Sequence, residues 1–204
     1  AHPDDETLST GAAIATVAQS GIASVLTLTM GERGEVRPEQ RGALETAGGL
    51  PALRSLELDR AILALGGTRI EPDARFEDSG MAWVDGRAAP SADVSTTALT
   101  SQPPTDVELL VLDAVQRLRP DALVTYDEDG GYGHPDHLAV HRAVVAVGRD
   151  LRIPVYVRTQ DAADVAVPLA PVADRVRDAL AAHASQLAVD GADVVHVGGQ
   201  REPI

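Results

Sequence analysis

Two short segments hold side chains whose types and spacing suit a metal. Ala1-His2-Pro3-Asp4-Asp5-Glu6 opens the chain, and Gly133-His134-Pro135-Asp136-His137 follows roughly 130 residues later. Together they collect three of the six histidines and four carboxylates. Each sets two ligand types three residues apart, His2 with Asp5 and His134 with His137. On the first turn of a helix that spacing points both side chains the same way. Catalytic zinc takes three protein ligands from His and carboxylate and leaves one position for water. Helix capping is the plainer alternative, since Asp favours the N-cap, Pro suits the first helical position and carboxylates suit the first turn. Either motif alone reads both ways. Two His-Pro-Asp tripeptides at equivalent strand-to-helix junctions point to a shared metal site.

The elements that must position these motifs follow from hydrophobic periodicity. Leu8, Ala12, Ile14, Ala15 and Val17 have helical spacing, with Gly21 as a stop signal. Ile22 to Met30 reads as a buried strand, followed by the polar, turn-rich GERGEVRPEQRG. Leu50 to Leu65 suits an amphipathic helix ended by Gly66-Gly67. Residues 67 to 104 hold few apolar runs but carry Phe76 and Trp83, two of only five aromatics, and read as a substrate loop or as disorder. Val107 to Leu118 is helical, Ala122 to Tyr126 a short strand, Leu138 to Val147 a helix, Val155 to Val157 a strand, and Ala173 to Leu187 the last helix. This alternation predicts one α/β domain over residues 1–204, with a mainly parallel, Rossmann-like sheet and helices on both faces. Ligands in such sheets sit beyond the carboxyl ends of the strands, which is where the metal site is expected.

Composition narrows the chemistry. With 31 acidic residues against 17 basic, the formal charge is −14, which disfavours nucleic acid or an anionic membrane as partner. No apolar run approaches the ~20 residues of a membrane span. The absence of cysteine excludes thiolate metal sites, disulfides and cysteine nucleophiles, and the absence of lysine excludes Schiff-base and P-loop chemistry. A small-molecule substrate and a cytoplasmic location are expected; oligomeric state is left open. The start at Ala1 without Met, and the Pro-, Ala- and Asp-rich stretch from Val157 to Pro171, suggest a trimmed sequence.

The paired motifs resemble those of the LmbE-like (PIG-L) zinc N-deacetylases. The likeness runs on through GERGEV (31–36), DSGMA (78–82), TYDEDGGYGHPDH (125–137) and AAHASQ (181–186). It covers most of residues 1–150 and then one helix near 173–187, and looks most like the N-acetylglucosaminyl-inositol deacetylases of mycothiol biosynthesis. The resemblance implies one zinc, or another divalent transition metal such as Fe²⁺, held by His2, Asp5 and His137. It implies Asp4 as the general base, His134 and Tyr132 facing the oxyanion, His134 also protonating the leaving amine, and Asp136 orienting a neighbouring imidazole. Ser9, Glu35, Arg54, Asp78 and Met81 fall at its substrate-side positions. Arg54 reads equally as a solvated helix face, Asp78 as a turn residue, and His183 as structural.

The implied reaction is hydrolysis of an acetamide on an amino sugar. Amide resonance weakens the electrophile, so this needs an activated water and donors aimed at the oxyanion. Alternatives within the superfamily are a mycothiol S-conjugate amidase and a deacetylase of another N-acetyl sugar; Ser9 and the missing lysines favour the deacetylase. From other classes, a phosphoesterase would more often hold two metals, and a non-catalytic sugar-binding module would have no use for Asp4.

Overall fold

The computed structural model describes residues 1–159 and 163–204, so part of the stretch from Val157 to Pro171 lies outside the described residues. In chain order, the first half holds α1 (Asp5–Val17), β1 (Ser24–Leu26), α2 (Arg41–Ala47), α3 (Leu50–Leu65), β2 (Thr68–Ile70), β3 (Met81–Val84) and β4 (Arg87–Pro90). There follow α4 (Pro104–Leu118), β5 (Leu123–Thr125), the single turn α5 (Gly130–Gly133), α6 (Pro135–Leu151) and β6 (Val155–Val157). Last come α7 (Ala173–Ala182), β7 (Leu187–Asp190), β8 (Asp193–His196) and β9 (Arg201–Pro203). These elements form two compact units, one of His2–Ile70 with Val165–Ile204, the other of Glu71–Asp164 with Ala1.

In the first unit, α3 packs against α7 and α1. Their apolar stripes close on a core of Ala15, Ala61, Leu65, Val176, Ala179 and Leu180, capped by Leu187 and Val194 of the C-terminal strands. A second cluster joins Val25, Met30, Leu58 and Ile62. β1 pairs in parallel with β2. Parallel strands need a long crossover, and α2 and α3 lie on the chain between them. Leu28, Thr29 and Met30 are buried as an apolar strand would be, but the ladder stops at Leu26. The expected helix to Leu187 ends at Ala182, and Leu187 instead opens an antiparallel meander, β7–β8–β9, that helical periodicity did not foretell.

The second unit repeats the parallel theme. β5 pairs with β6, and α6 crosses between them. Gly148 makes the close approach possible, because a Cβ there would lie 2.2 Å from Val155 Cγ2. α4 packs on α6, burying Val107, Val111, Ala114, Val115, Ala143 and Val147. The region expected to be irregular contains a hairpin, with β3 antiparallel to β4 and Val84 opposite Arg87. Its two-residue loop is Asp85-Gly86, both at positive φ (51° and 79°), the geometry that matches strand twist and that Asp-Gly favours. That dipeptide was the signal, and the weak apolar alternation around it hid the strands. The fold is therefore mixed α/β with several small sheets.

Candidate metal centre and active site

The residues singled out in the sequence fall in both units. In the first, the opening motif runs into α1, whose first turn carries Asp5 and Glu6. Asp5 Oδ2 accepts from the His2 backbone N–H at 2.8 Å and lies 3.2 Å from His2 Nδ1, so these two potential ligands already face one another. Asp4 precedes the helix at φ 112°, a conformation that L-residues avoid, and its side chain makes no capping bond. Such strain persists where the surroundings over-determine it, and it clusters at functional sites. Burial, and then the neighbouring Asp5 charge, push the Asp4 carboxyl up to about 7, against the opposing pull of His183 and Arg54. A carboxyl held near neutrality is suited to exchanging protons.

The motif is tied down from the far end of the chain. His183 Nε2 meets Glu6 Oε1 at 2.7 Å, and the Thr7 hydroxyl donates to the same oxygen at 2.6 Å. Gln186 Nε2 donates to the Pro3 carbonyl at 2.7 Å. Ser185 donates through both its backbone N–H and its hydroxyl to the buried Glu57 of α3. Burial opposes charge on Glu6, but the His183 charge and hydrogen bond outweigh it and hold the carboxyl below its ordinary range. His183 is buried too, yet Glu6 holds it above the ordinary imidazole value. Glu6, Ser185 and Gln186 entered the sequence reading only as members of motifs and Glu57 not at all; the clustering of polar residues in AAHASQ was the available signal.

In the second unit, β5 delivers the chain at its carboxyl end into the loop that holds Gly130, Gly131 and Gly133, all at positive φ (63°, 70° and 94°). These turns lead to His134, the N-cap of α6, with Pro135 in the first turn. The two histidines of this motif carry their protons on opposite nitrogens. His134 Nδ1 accepts from the Asp136 backbone N–H at 3.2 Å, so a neutral His134 holds its proton on Nε2 and is a donor there. His137 Nδ1 faces the Gly130 carbonyl at 3.1 Å, which only accepts, so that nitrogen is protonated and Nε2 carries the lone pair. One ring thereby offers a proton at Nε2 and the other a lone pair. Their rings stack at 5.0 Å, with ring nitrogens within 4.8 Å of each other. The expected helix capping is present in this tripeptide.

Tyr132, half-exposed, meets His137 and His134 edge-on at 5.2 and 6.0 Å, and Tyr126 stacks on His137 at 4.1 Å. Asp136 is fully buried and accepts from the Ser79 N–H at 3.1 Å. Asp78 is also buried; its Oδ1 accepts from Gly80 N–H at 2.7 Å, the turn bond, and a carboxylate oxygen lies within 4.8 Å of one on Asp136. Met81, half-buried, opens β3. His141 bonds the Tyr126 carbonyl at 2.7 Å, a packing role.

Of the substrate-side residues in the first unit, Arg54 departs most from a solvated face. It is 4% exposed, and its guanidinium donates to the carbonyls of Gly31 at 2.6 Å and Glu35 at 3.2 Å. A Cβ on Gly31 or Gly34 would collide with it, so the GERGEV glycines make room for this clamp. Ser9 is half-buried on α1, and the Glu35 side chain is exposed.

A family model described as GlcNAc-PI de-N-acetylase (PIG-L) matches residues 1–147, well over half of the chain. The chain belongs to the PIG-L family. A 1D-myo-inositol 2-acetamido-2-deoxy-alpha-D-glucopyranoside deacetylase of Kineococcus radiotolerans is 43% identical over 152 residues, covering 71% of this chain and 42% of that protein. A protein of the same name from Acidothermus cellulolyticus is 32% identical over 240 residues, covering 94% and 79%. The chain spans about half the length of the first of these relatives and of a Rhodococcus opacus protein of that name. Among solved structures, the zinc-inhibited form of teicoplanin deacetylase Orf2 superposes with a TM-score of 0.64 at 22% identity, over 91% of this chain and 82% of that one, which shows a shared fold.

For a PIG-L chain, the donor chemistry fits a divalent transition metal. Imidazole and carboxylate are the ligands such ions take. The Nδ1–H···O=C bond at His137 is the usual outer support of a metal-binding imidazole.

Proposed function

We propose that this PIG-L chain hydrolyses the acetamide of N-acetylglucosaminyl-inositol, releasing glucosaminyl-inositol and acetate. The observation that carries the reading is the opposite hydrogen bonding of the two Nδ1 atoms, His134 beside a backbone N–H and His137 beside a carbonyl, which supports a donor and a ligand within one motif. The names of the relatives supply the substrate class. The single-domain reading rests on the family match, which runs through residues of both units. A Rossmann-like arrangement is supported inside each unit by one parallel strand pair with helix between its strands.

In this reading His2, Asp5 and His137 hold one metal, zinc or a similar divalent ion. When bound, the metal supplies Lewis-acid activation of water and of the amide carbonyl. Asp4 takes a proton from the attacking water. The His134 Nε2–H and the Tyr132 hydroxyl donate to the oxygen that gains negative charge, contacts that count most where charge develops. The C–N bond then breaks as the nitrogen receives the proton that Asp4 took from the water, His134 giving up its Nε2 proton only as that proton replaces it, so that the free amine and acetate leave and both side chains return to their starting states. Asp136, bonded to Ser79 N–H, steadies the start of α6. Arg54 shapes the 31–35 loop, and Ser9, Glu35, Asp78 and Met81 complete the substrate side.

The test is amine release from N-acetylglucosaminyl-inositol, beside free N-acetylglucosamine and a mycothiol S-conjugate, with and without chelator. Preference for the inositol glycoside, abolished by chelator and restored by zinc, is expected. Preference for the conjugate would move the chain to the amidase branch. Turnover that survives chelation would remove the metal from the reading.

A further inference from the structure

All five aromatic residues of the chain lie between positions 76 and 156, and three of them gather at the HPDH loop. Tyr126 and Tyr132 contact His137 directly. The third, Trp83, stands on β3 with its ring centroid 5.8 Å from that of Tyr132, tilted by 30°. It is 58% exposed, so it is no core anchor of the hairpin. Apolar exposure of that size on a small hairpin costs hydration free energy, and in a chain this poor in aromatics it calls for a use.

The hairpin carries Trp83 beside the site loop. Its cross-strand partner is Ala88. The Ala88 carbonyl lies so near Gly133 that a Cβ there would come within 3.1 Å, and Arg87 reaches Asp129 at 3.5 Å. The close backbone approach of Ala88 to Gly133 seats the hairpin against the loop, which leaves the indole beside Tyr132, and Tyr132 in turn borders the two histidines. The exposed aromatic surface is that of one indole and one phenol, flanked by Asp85, Gly86 and Arg87. Two neighbouring aromatic rings are the kind of surface on which a saccharide ring stacks.

We propose that Trp83 and Tyr132 form a saccharide platform, on which Trp83 stacks against the second ring of a two-ring substrate whose acetamide lies at the histidines. The face of an aromatic ring is electron-rich and attracts the electron-poor C–H edges of a saccharide, while the ring hydroxyls stay in water. The inference deepens the deacetylase reading and rests on it for the position of the acetamide. It makes Trp83 a specificity-determining contact for a glycoside over a free sugar.

Trp83 is the only tryptophan of the 204 residues, so its emission reports the platform directly. The metal-loaded chain is titrated with glucosaminyl-inositol and, separately, with glucosamine, using the Trp83→Phe variant as the silent baseline. The expected result is a saturable change in emission with glucosaminyl-inositol, half-complete at the concentration where the same compound half-inhibits turnover, and a smaller change with glucosamine. In kinetics, Trp83→Ala raises KM for N-acetylglucosaminyl-inositol about tenfold, equivalent to ~1.4 kcal/mol, with kcat little altered. Its preference over methyl N-acetylglucosaminide drops by the same factor, and Trp83→Phe recovers most of it. Unchanged emission while glucosaminyl-inositol inhibits would overturn the platform, as would an equal loss on one-ring and two-ring substrates. If the wild type released amine from neither substrate, the deacetylase reading would fall. The emission titration would still decide whether Trp83 meets a saccharide.

Discussion

Two histidines three positions apart hold their protons on opposite nitrogens because one accepts from a backbone N–H and the other donates to a carbonyl. Spacing made both visible in the sequence, but which nitrogen of each ring is engaged is set by bonds to Asp136 and Gly130 that no spacing rule contains. Asp4 is the comparable case in the first motif. Its place beside Asp5 is legible, whereas its φ of 112° and its raised carboxyl pKa depend on the surrounding fold. In the proposed role, Asp4→Ala keeps its metal but loses about 10²–10⁴ of kcat, the usual range for a general base. Metal analysis of the variant beside a turnover assay checks both halves. The pH profile follows from the same group. A base acts only as carboxylate, so activity climbs as pH rises through its pKa, which is about 7 in the metal-free chain. A divalent cation nearby favours the carboxylate and moves that limb lower. Wild-type kcat/KM is therefore expected to reach half-height below pH 7, and the residual activity of Asp4→Ala to lack that limb. Half-height well above 7, or a limb untouched by the substitution, would assign the base elsewhere.

Between elements, the telling feature is the grip of the segment after α7 on the start of α1. His183 and Glu6 are separated by 177 positions yet form a buried ion pair at 2.7 Å, with Asp4 and Glu57 the other charges acting on the imidazole. Removing one partner of a buried pair costs roughly 3–5 kcal/mol, because the other charge is left uncompensated. His183→Ala should thus lower Tm by on the order of 10 °C. The pH dependence has a definite sign. The raised His183 pKa gives stability that is complete below the ordinary 6.5 and is lost as pH rises through the elevated value; the lowered Glu6 pKa gives stability that is complete above 4.5 and is lost as pH falls through the depressed value. The Tm gap between wild type and variant should be widest between about pH 4.5 and 6.5 and narrow at alkaline pH. A gap flat up to pH 9 would mean that packing, not charge, holds the segment. Such long-range pairing explains what the sequence could not display. α3, α4 and α6 were legible because apolar periodicity is local, and β5 and β6 because short apolar runs sit between turns. The Glu57–Ser185 link is an agreement between distant segments, whereas the meander after Leu187 and the β3–β4 hairpin are local and announce themselves only through the short turns Gly191-Ala192 and Asp85-Gly86.

At the scale of the whole molecule, 31 acidic residues against 17 basic make cation uptake easy and therefore uninformative by itself. A specific metal has to be told from counter-ions condensed on carboxylates. The proposed ligands Asp5 and His137 lie well over a hundred positions apart in sequence, so an unfolded chain does not present them as a set. An ion that binds the native state alone stabilises it by about 2.7 kcal/mol at a hundredfold excess over Kd, which for a chain of this size is roughly 5–10 °C in Tm. Zinc should produce that shift and bind at one ion per chain, and chelator should reverse it. Ca²⁺ at equal concentration should not reproduce it, since that ion prefers an all-oxygen shell to imidazole. His137→Ala should abolish the zinc shift, while Tyr132→Phe, which alters no proposed ligand, should retain it. Two ions per chain would favour the two-metal chemistry of a phosphoesterase. An equal shift from calcium would reduce the effect to surface charge, and His2, Asp5 and His137 would lose their assignment as a metal site.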